Sequence, residues 1–175
     1  MEALGLTEAN SAKTPCEDEK EWEREENEEL LEPTEAMRYR GIAARRNYLS
    51  ADRPGLMFAT KEVCRRMAHP TVGAYKGLTR LGRYLVERPR GVFSYGWQKE
   101  EEMVDGFADS DWAGCKGTAK STSGGAIMIG SRFLKGWSGT QQSITLSSAE
   151  AELTAMVKAS CETLGVLNMT RDLGK

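Results

Sequence analysis

The chain has one histidine, His69, and four scattered cysteines, Cys16, Cys64, Cys115 and Cys161, with no Cys-x-x-Cys pair in its 175 residues. A structural zinc site needs closely spaced Cys and His ligands, so this composition excludes one. The same scatter offers no disulfide framework and predicts free thiols in an intracellular, cytoplasmic or nuclear setting. No apolar run approaches the roughly 18 residues of a membrane span. The amino terminus, MEALGLTEANSAK, lacks the basic and then apolar order of a secretory signal. No membrane partner is expected.

Net charge is scarce too, at −2, but only as an average. Residues 1–37 carry 13 acidic and 3 basic side chains, residues 38–90 carry 3 and 13, and residues 91–175 carry 10 and 8. A near-neutral total therefore does not argue against a polyanionic partner for the middle third. The acidic third contains EDEKEWEREENEELLE from Glu17 to Glu32, which has almost nothing to bury and cannot offset its ordering entropy. Residues 1–35 are expected to be an acidic, disordered tail. The sharper alternative is an intramolecular mimic of nucleic acid lying over the basic third.

After Pro33 the spacing becomes helical. TEAMRYRGIAARRNY sets Met37, Ile42 and Ala44 among Arg38, Arg40, Arg45 and Arg46. A second run starts after Pro54 and ends at His69-Pro70, since the residue before proline is disfavoured in the α region. In the third, from Val72 to Val86, Tyr75, Leu78, Leu81 and Leu85 recur at three- and four-residue steps. Residues 36–90 thus predict a basic segment of three amphipathic helices. Any one arginine is explained by a solvated face, but thirteen cations against three acids form a stronger pattern.

From Gly91 the period shortens. GVFSYGW and MVDGFAD read as short β-type runs, and SGGAIMIG and RFLKGWS as adjacent strands of a meander. Ser147 then opens a long helix, with Ala149, Leu153, Met156, Ser160, Leu164 and Leu167 expected along its apolar stripe. The expected fold class is α/β (α+β): a basic helical segment, then a three-stranded antiparallel meander followed by a helix.

Two acidic clusters could carry chemistry, Asp109-Ser110-Asp111 at a strand end and Glu150-Ala151-Glu152 in the first helical turns. Carboxylates so placed can converge on Mg²⁺, a hard cation that takes one or two protein carboxylates plus water and substrate phosphate. Strand alternation puts Asp105, Phe107 and Asp109 on one face, with Phe107 expected to anchor it in the core. Asp111 is expected beyond the strand, where an Asx turn explains it as well. Ser147-x-x-Glu150 matches a capping box, which gives Glu150 a structural task and leaves Glu152 without one. The segment Gly114 to Ser121 is one residue from a phosphate-binding loop. Ala119 replaces the required glycine, and a strand follows where a helix should, so it reads as a hairpin turn.

The motifs DGFADSDWAG, KSTSGGAIMIG and KGWSGTQQSITLSSAEAELTAM, in that order, resemble the ribonuclease H domain of Ty1/copia-type retrotransposon Pol polyproteins. The stretch YRGIAARRNYLSADRPGLMFATKEVCRRMAHPTVGAYKGLTRLGRYL resembles the helical connection between reverse transcriptase and ribonuclease H in the same polyproteins, so the likeness runs from Tyr39 to Gly174. It implies a partial ribonuclease H-like fold over residues 91–175. By motif position it implies that Asp109 and Glu152 are the catalytic, metal-binding pair: in that family an Asp of the first strand and a Glu of the first helix hold two Mg²⁺ ions, about 3.5 to 4 Å apart, that drive endonucleolytic hydrolysis of RNA in an RNA·DNA hybrid. The hybrid would be read by shape, backbone and 2′-hydroxyl contacts. The family also needs a third carboxylate on a fourth strand and another near the domain end. The chain stops before either, and Asp172 does not replace them. The resemblance therefore implies a Pol fragment with half a metal site, inactive alone and completed by the remaining Pol segments. The alternative is a non-catalytic nucleic-acid-binding or interaction module that works through its basic helices.

Overall fold

The computed structural model describes residues 4–6, 9–16, 29–99, 103–115 and 117–174. Most of the acidic run, residues 17–28, lies outside them. The chain divides into two compact units, Met1–Val92 and Phe93–Lys175.

The first unit is helical: α1 (Pro33–Ser50), a 3-10 turn (Pro54–Leu56), α2 (Met57–Arg65) and α3 (Val72–Glu87). Pro33 occupies the first turn of α1, where its missing amide costs nothing, and the Thr71 hydroxyl accepts from the Ala74 amide at 3.2 Å to start α3. Their inner faces meet in one apolar core of Tyr39, Ile42 and Ala43 from α1, Ala59 and Val63 from α2, and Ala74, Leu78, Leu81 and Leu85 from α3. Tyr39 is fully enclosed and donates from its hydroxyl to the Val63 carbonyl at 2.6 Å. Burial pushes that hydroxyl well above its ordinary pKa, with the neighbouring Cys64 adding to the shift, so it stays a neutral donor. On α1 the inward positions are Ala36, Tyr39, Ile42, Ala43 and Ser50, and Met37 faces solvent with Ala44. Part of the segment read as a disordered tail is also packed. Leu6 and Ala12 are buried, the Ala12 amide donates to the Arg83 carbonyl, and a Cβ at Gly82 would lie 2.6 Å from Leu6 Cδ1. Two apolar side chains, Leu4 and Leu6, fit where α3 carries only hydrogen, and that contact offsets their ordering cost.

The second unit is an antiparallel sheet in the order β1 (Asp105–Cys115), β2 (Lys120–Ile129), β3 (Arg132–Thr140), followed by α4 (Ser148–Asp172). This is the expected mixed α/β architecture, consistent with a partial ribonuclease H-like fold. Gly130, with φ of 56°, makes the tight β2–β3 turn. The stretch GVFSYGW is not a strand: residues 91–99 have no regular structure, and Trp97 is 90% exposed. It is held by side chains instead, with Phe93 stacked on Phe133, the Tyr95 hydroxyl donating to the Phe133 carbonyl, and the Gln98 amide donating to the Ile129 carbonyl. β1 is longer than expected and continues through Asp111, which pairs with Thr122; an irregularity between Asp111 and Cys115, with Ala113 at φ 52°, replaces the expected turn.

The face of α4 also differs from expectation. Its buried residues are Ala151, Ala155 and Ala159, whereas Leu153 is 60% exposed and Met156 and Leu164 are similarly open. The reason is the sheet beneath. A Cβ at Gly106 would collide with Thr163 of α4, so the helix approaches β1 at Gly106 and Ala108 closely enough to admit only small residues. Among the described residues, no helix is long and apolar enough to cross a membrane.

Candidate functional site

The start of α4 is fixed by the expected capping box. Ser147 Oγ accepts from the Glu150 amide at 3.2 Å, and Glu150 Oε2 reaches back to accept from the Leu146 amide at 2.7 Å, one residue earlier than the ideal pattern. Glu150 is therefore occupied at the cap. Glu152 is half-buried, and its Oε1 accepts from the Ser110 amide at 3.3 Å. That amide belongs to the residue after Asp109, so α4 and β1 meet at these two positions.

Asp109 pairs opposite Gly124, inside β1 and not at its end, and is exposed. Phe107 does not anchor its face in a core, being 56% exposed. Gly106, Ala108 and Ser110 face α4, and alternation turns Asp105, Phe107 and Asp109 to the opposite side. β1 is an edge strand, so Asp109 and Glu152 flank its open edge at one level. Asp111 is set apart: its carboxylate lies over Gly114, where any Cβ would strike it. The hairpin reading of Gly114 to Ser121 agrees with the geometry, since the Thr118 amide donates to the Cys115 carbonyl at 3.2 Å and Lys120 pairs with Cys115.

Asp109, Asp111, Glu150 and Glu152 make no ion pair among the described residues, so their field attracts a cation. Their oxygens have the chemistry Mg²⁺ takes. Among the described residues, however, no group of three or more His, Cys, Asp or Glu side chains is placed to hold a metal. Two carboxylates would supply only part of a coordination shell.

Sequence reasoning missed a buried polar network behind this site. Gln141 is buried; its Nε2 donates to Ser123 Oγ and to the Ala151 carbonyl, both at 2.9 Å, and its own amide donates to the Ser121 carbonyl at 2.8 Å. Ser121 Oγ accepts from the Ala113 amide at 3.1 Å and lies 2.9 Å from Thr145 Oγ1, while Trp112 Nε1 donates to the Thr145 carbonyl. The network ties the irregular end of β1, the start of β2 and the first turn of α4 together. Gln141 holds the carbonyl immediately before Glu152. The available signal for the hydroxyl members was the Ser/Thr content of KSTS, at the start of β2, and of TQQSIT, which begins at the last residue of β3, but it does not single out Gln141.

No family model matches the chain, and no solved structure matches it. Three curated proteins of Arabidopsis thaliana do. An uncharacterised mitochondrial protein is 34% identical over 128 residues, 71% of this chain and 51% of the relative. The retrovirus-related Pol polyproteins from transposons RE1 and RE2 are each 31% identical over 147 residues, 83% of this chain and 10% of each polyprotein. The chain thus spans about half of the mitochondrial relative and a tenth of the two polyproteins. With its motif series, this homology places the chain with the retrovirus-related Pol polyproteins of copia-type retrotransposons.

Proposed function

We propose that the chain covers a basic helical connection segment and the opening elements of a ribonuclease H-type unit, and that Asp109 and Glu152 supply two of the carboxylates that hold Mg²⁺ for hydrolysis of RNA in an RNA·DNA hybrid. The observation that carries the reading is the division of labour at the start of α4. Glu150 is consumed by the cap, and Glu152 reaches the strand beside Asp109. Bound Mg²⁺ would activate water and stabilise the leaving oxygen. This chain's own residues do the positioning: the Ser110 amide orients the Glu152 carboxylate, and Gln141 holds the helix turn behind it.

Two carboxylates are too few to fix two ions, so the chain alone is expected to cleave hybrid at background rate. The test is release of labelled RNA from an RNA·DNA hybrid with Mg²⁺, using the chain alone and the chain joined to the downstream Pol sequence. Cleavage gained in the longer protein should disappear in Asp109→Asn and in Glu152→Gln and survive in Glu150→Gln. Robust cleavage that persists in both Asp109→Asn and Glu152→Gln would overturn the assignment.

A further inference from the structure

The helical unit brings arginines together at one place without matching carboxylates among the described residues. Arg53, in the turn between α1 and the 3-10 segment, donates from Nη2 to the Arg88 carbonyl at 2.9 Å and from Nη1 to the Pro89 carbonyl at 3.2 Å. Its Nε lies 3.2 Å from where a Gly91 Cβ would sit, so the chain on both sides of Arg90 is held against this one guanidinium. Arg46, half-buried near the end of α1, sits close enough to Arg53 to feel its charge: burial first, and the Arg53 cation second, lower its pKa. Arg46 has no ion pair or hydrogen bond among the described residues.

Among the described residues the nearby acids do not balance this cluster. Glu87 pairs with Arg88 at 3.5 Å, and Arg88 also lies 4.9 Å over the Tyr84 ring. Asp52 is exposed and makes no ion pair among the described residues. Two like charges held together, one of them partly desolvated, cost free energy that an anion would recover. The guanidinium fork suits phosphate oxygens, and a row of separate arginines suits a repeating phosphodiester better than one small anion.

We infer that Arg46, Arg53 and Arg90, with Arg88 at their side, form a docking site for the phosphate backbone of a nucleic acid. The inference rests on the reading of the chain as a nucleic-acid-processing Pol segment but not on its metal site. Arg53 is the fixed member, because its two η nitrogens already bind main-chain carbonyls, and Arg46 and Arg90, which make no ion pair or hydrogen bond among the described residues, are the ones that engage phosphate. The contacts carry no base information, so hybrid and DNA duplex should both bind.

The test is equilibrium binding of a labelled RNA·DNA hybrid and a labelled DNA duplex to the full chain across a salt series. The Arg46→Gln/Arg90→Gln double variant should bind about five-fold more weakly per lost contact, with the salt slope shallower by about one for each arginine removed. Arg46→Lys/Arg90→Lys keeps the charge and should keep the slope. Lys99→Gln/Arg171→Gln removes equal charge from the other unit and should leave the slope near that of the parent. Circular dichroism melts confirm that each variant folds. An unchanged slope in the Gln double variant, or an equal loss in the Lys99/Arg171 control, would overturn the site. So would stabilisation by inorganic phosphate, or binding to anionic vesicles, without binding to either duplex. Hybrid cleavage, followed separately with Asp109→Asn, keeps failure of the metal-site reading distinct from failure of this one.

Discussion

The two units solve the problem of burial in opposite ways. The helical unit closes a core of large side chains, Tyr39, Leu56, Leu78 and Leu81, and hides them almost completely. The sheet unit buries mostly small or hydroxyl-bearing residues, Ala151, Ala155, Ala159, Ser121 and Ser123, and leaves Leu153 exposed on α4 and Met156 and Leu164 open along a groove between β1 and α4. One unit is held by apolar area. The other is held by close approach and a polar network, with its larger side chains uncovered. The lesson is that apolar content does not locate a core; what faces it decides which apolar residues are buried.

Substitutions that act on one mode of burial and spare the other test this contrast. The largest effect is expected from Leu78→Ala, which removes a fully enclosed side chain and should cost about 2 to 5 kcal/mol in urea unfolding. Next is Gln141→Leu, of similar bulk but unable to donate to Ser123 or Ala151; leaving those groups unpaired should cost about 1 to 3 kcal/mol in the sheet unit. Hydrogen exchange should show the loss in β2 and the first turn of α4, and protection unchanged there would mean that the network is incidental.

Tyr39→Phe should cost about 1 kcal/mol at neutral pH through its lost hydrogen bond. It should also change the alkaline limb. The folded pKa of Tyr39 is raised, so its contribution is complete below the unfolded value near pH 10 and declines by about 1.4 kcal/mol per pH unit as pH rises from there towards the folded value. The variant lacks that decline, and parallel alkaline limbs would contradict the buried, neutral phenol. Ser147→Ala should cost about 1 kcal/mol by removing the cap of α4. The smallest effect belongs to Leu153→Ala, which should stay within about 0.5 kcal/mol because this side chain is mostly in water. A large loss there would mean that this face of α4 is covered in solution.

What could be read from the sequence follows the same divide. α3 was legible because Leu78, Leu81 and Leu85 keep a helical period behind His69-Pro70, and all three are buried. The capping box at Ser147 and Glu150 was legible because it is local. The buried face of α4 was not, since the alanine stripe carries little hydrophobic contrast and its choice depends on Gly106, far away along the chain in β1. The passage of β1 through Asp111 was hidden for a related reason: Trp112-Ala113-Gly114 reads as a turn unless the Ser121 hydroxyl is known to hold the Ala113 amide. Gln141 could not be found from its surroundings, because nothing in TQQSIT distinguishes a buried glutamine from an exposed one.

The irregularities on the two sides of β2 also bear on how the sheet assembles. Its pairing with β1 shifts between Asp111 and Cys115, and its pairing with β3 shifts between Ile127 and Met128. A slip of β2 by one residue would turn Ile127, Ser121 and Ser123 to the opposite face and detach Gln141 and Thr145 from their partners. Near-miss alignments are therefore penalised at both borders at once. The middle strand acts as a keyed part that seats in one position, and the carboxylates of β1 and α4 reach the same level only when it has done so.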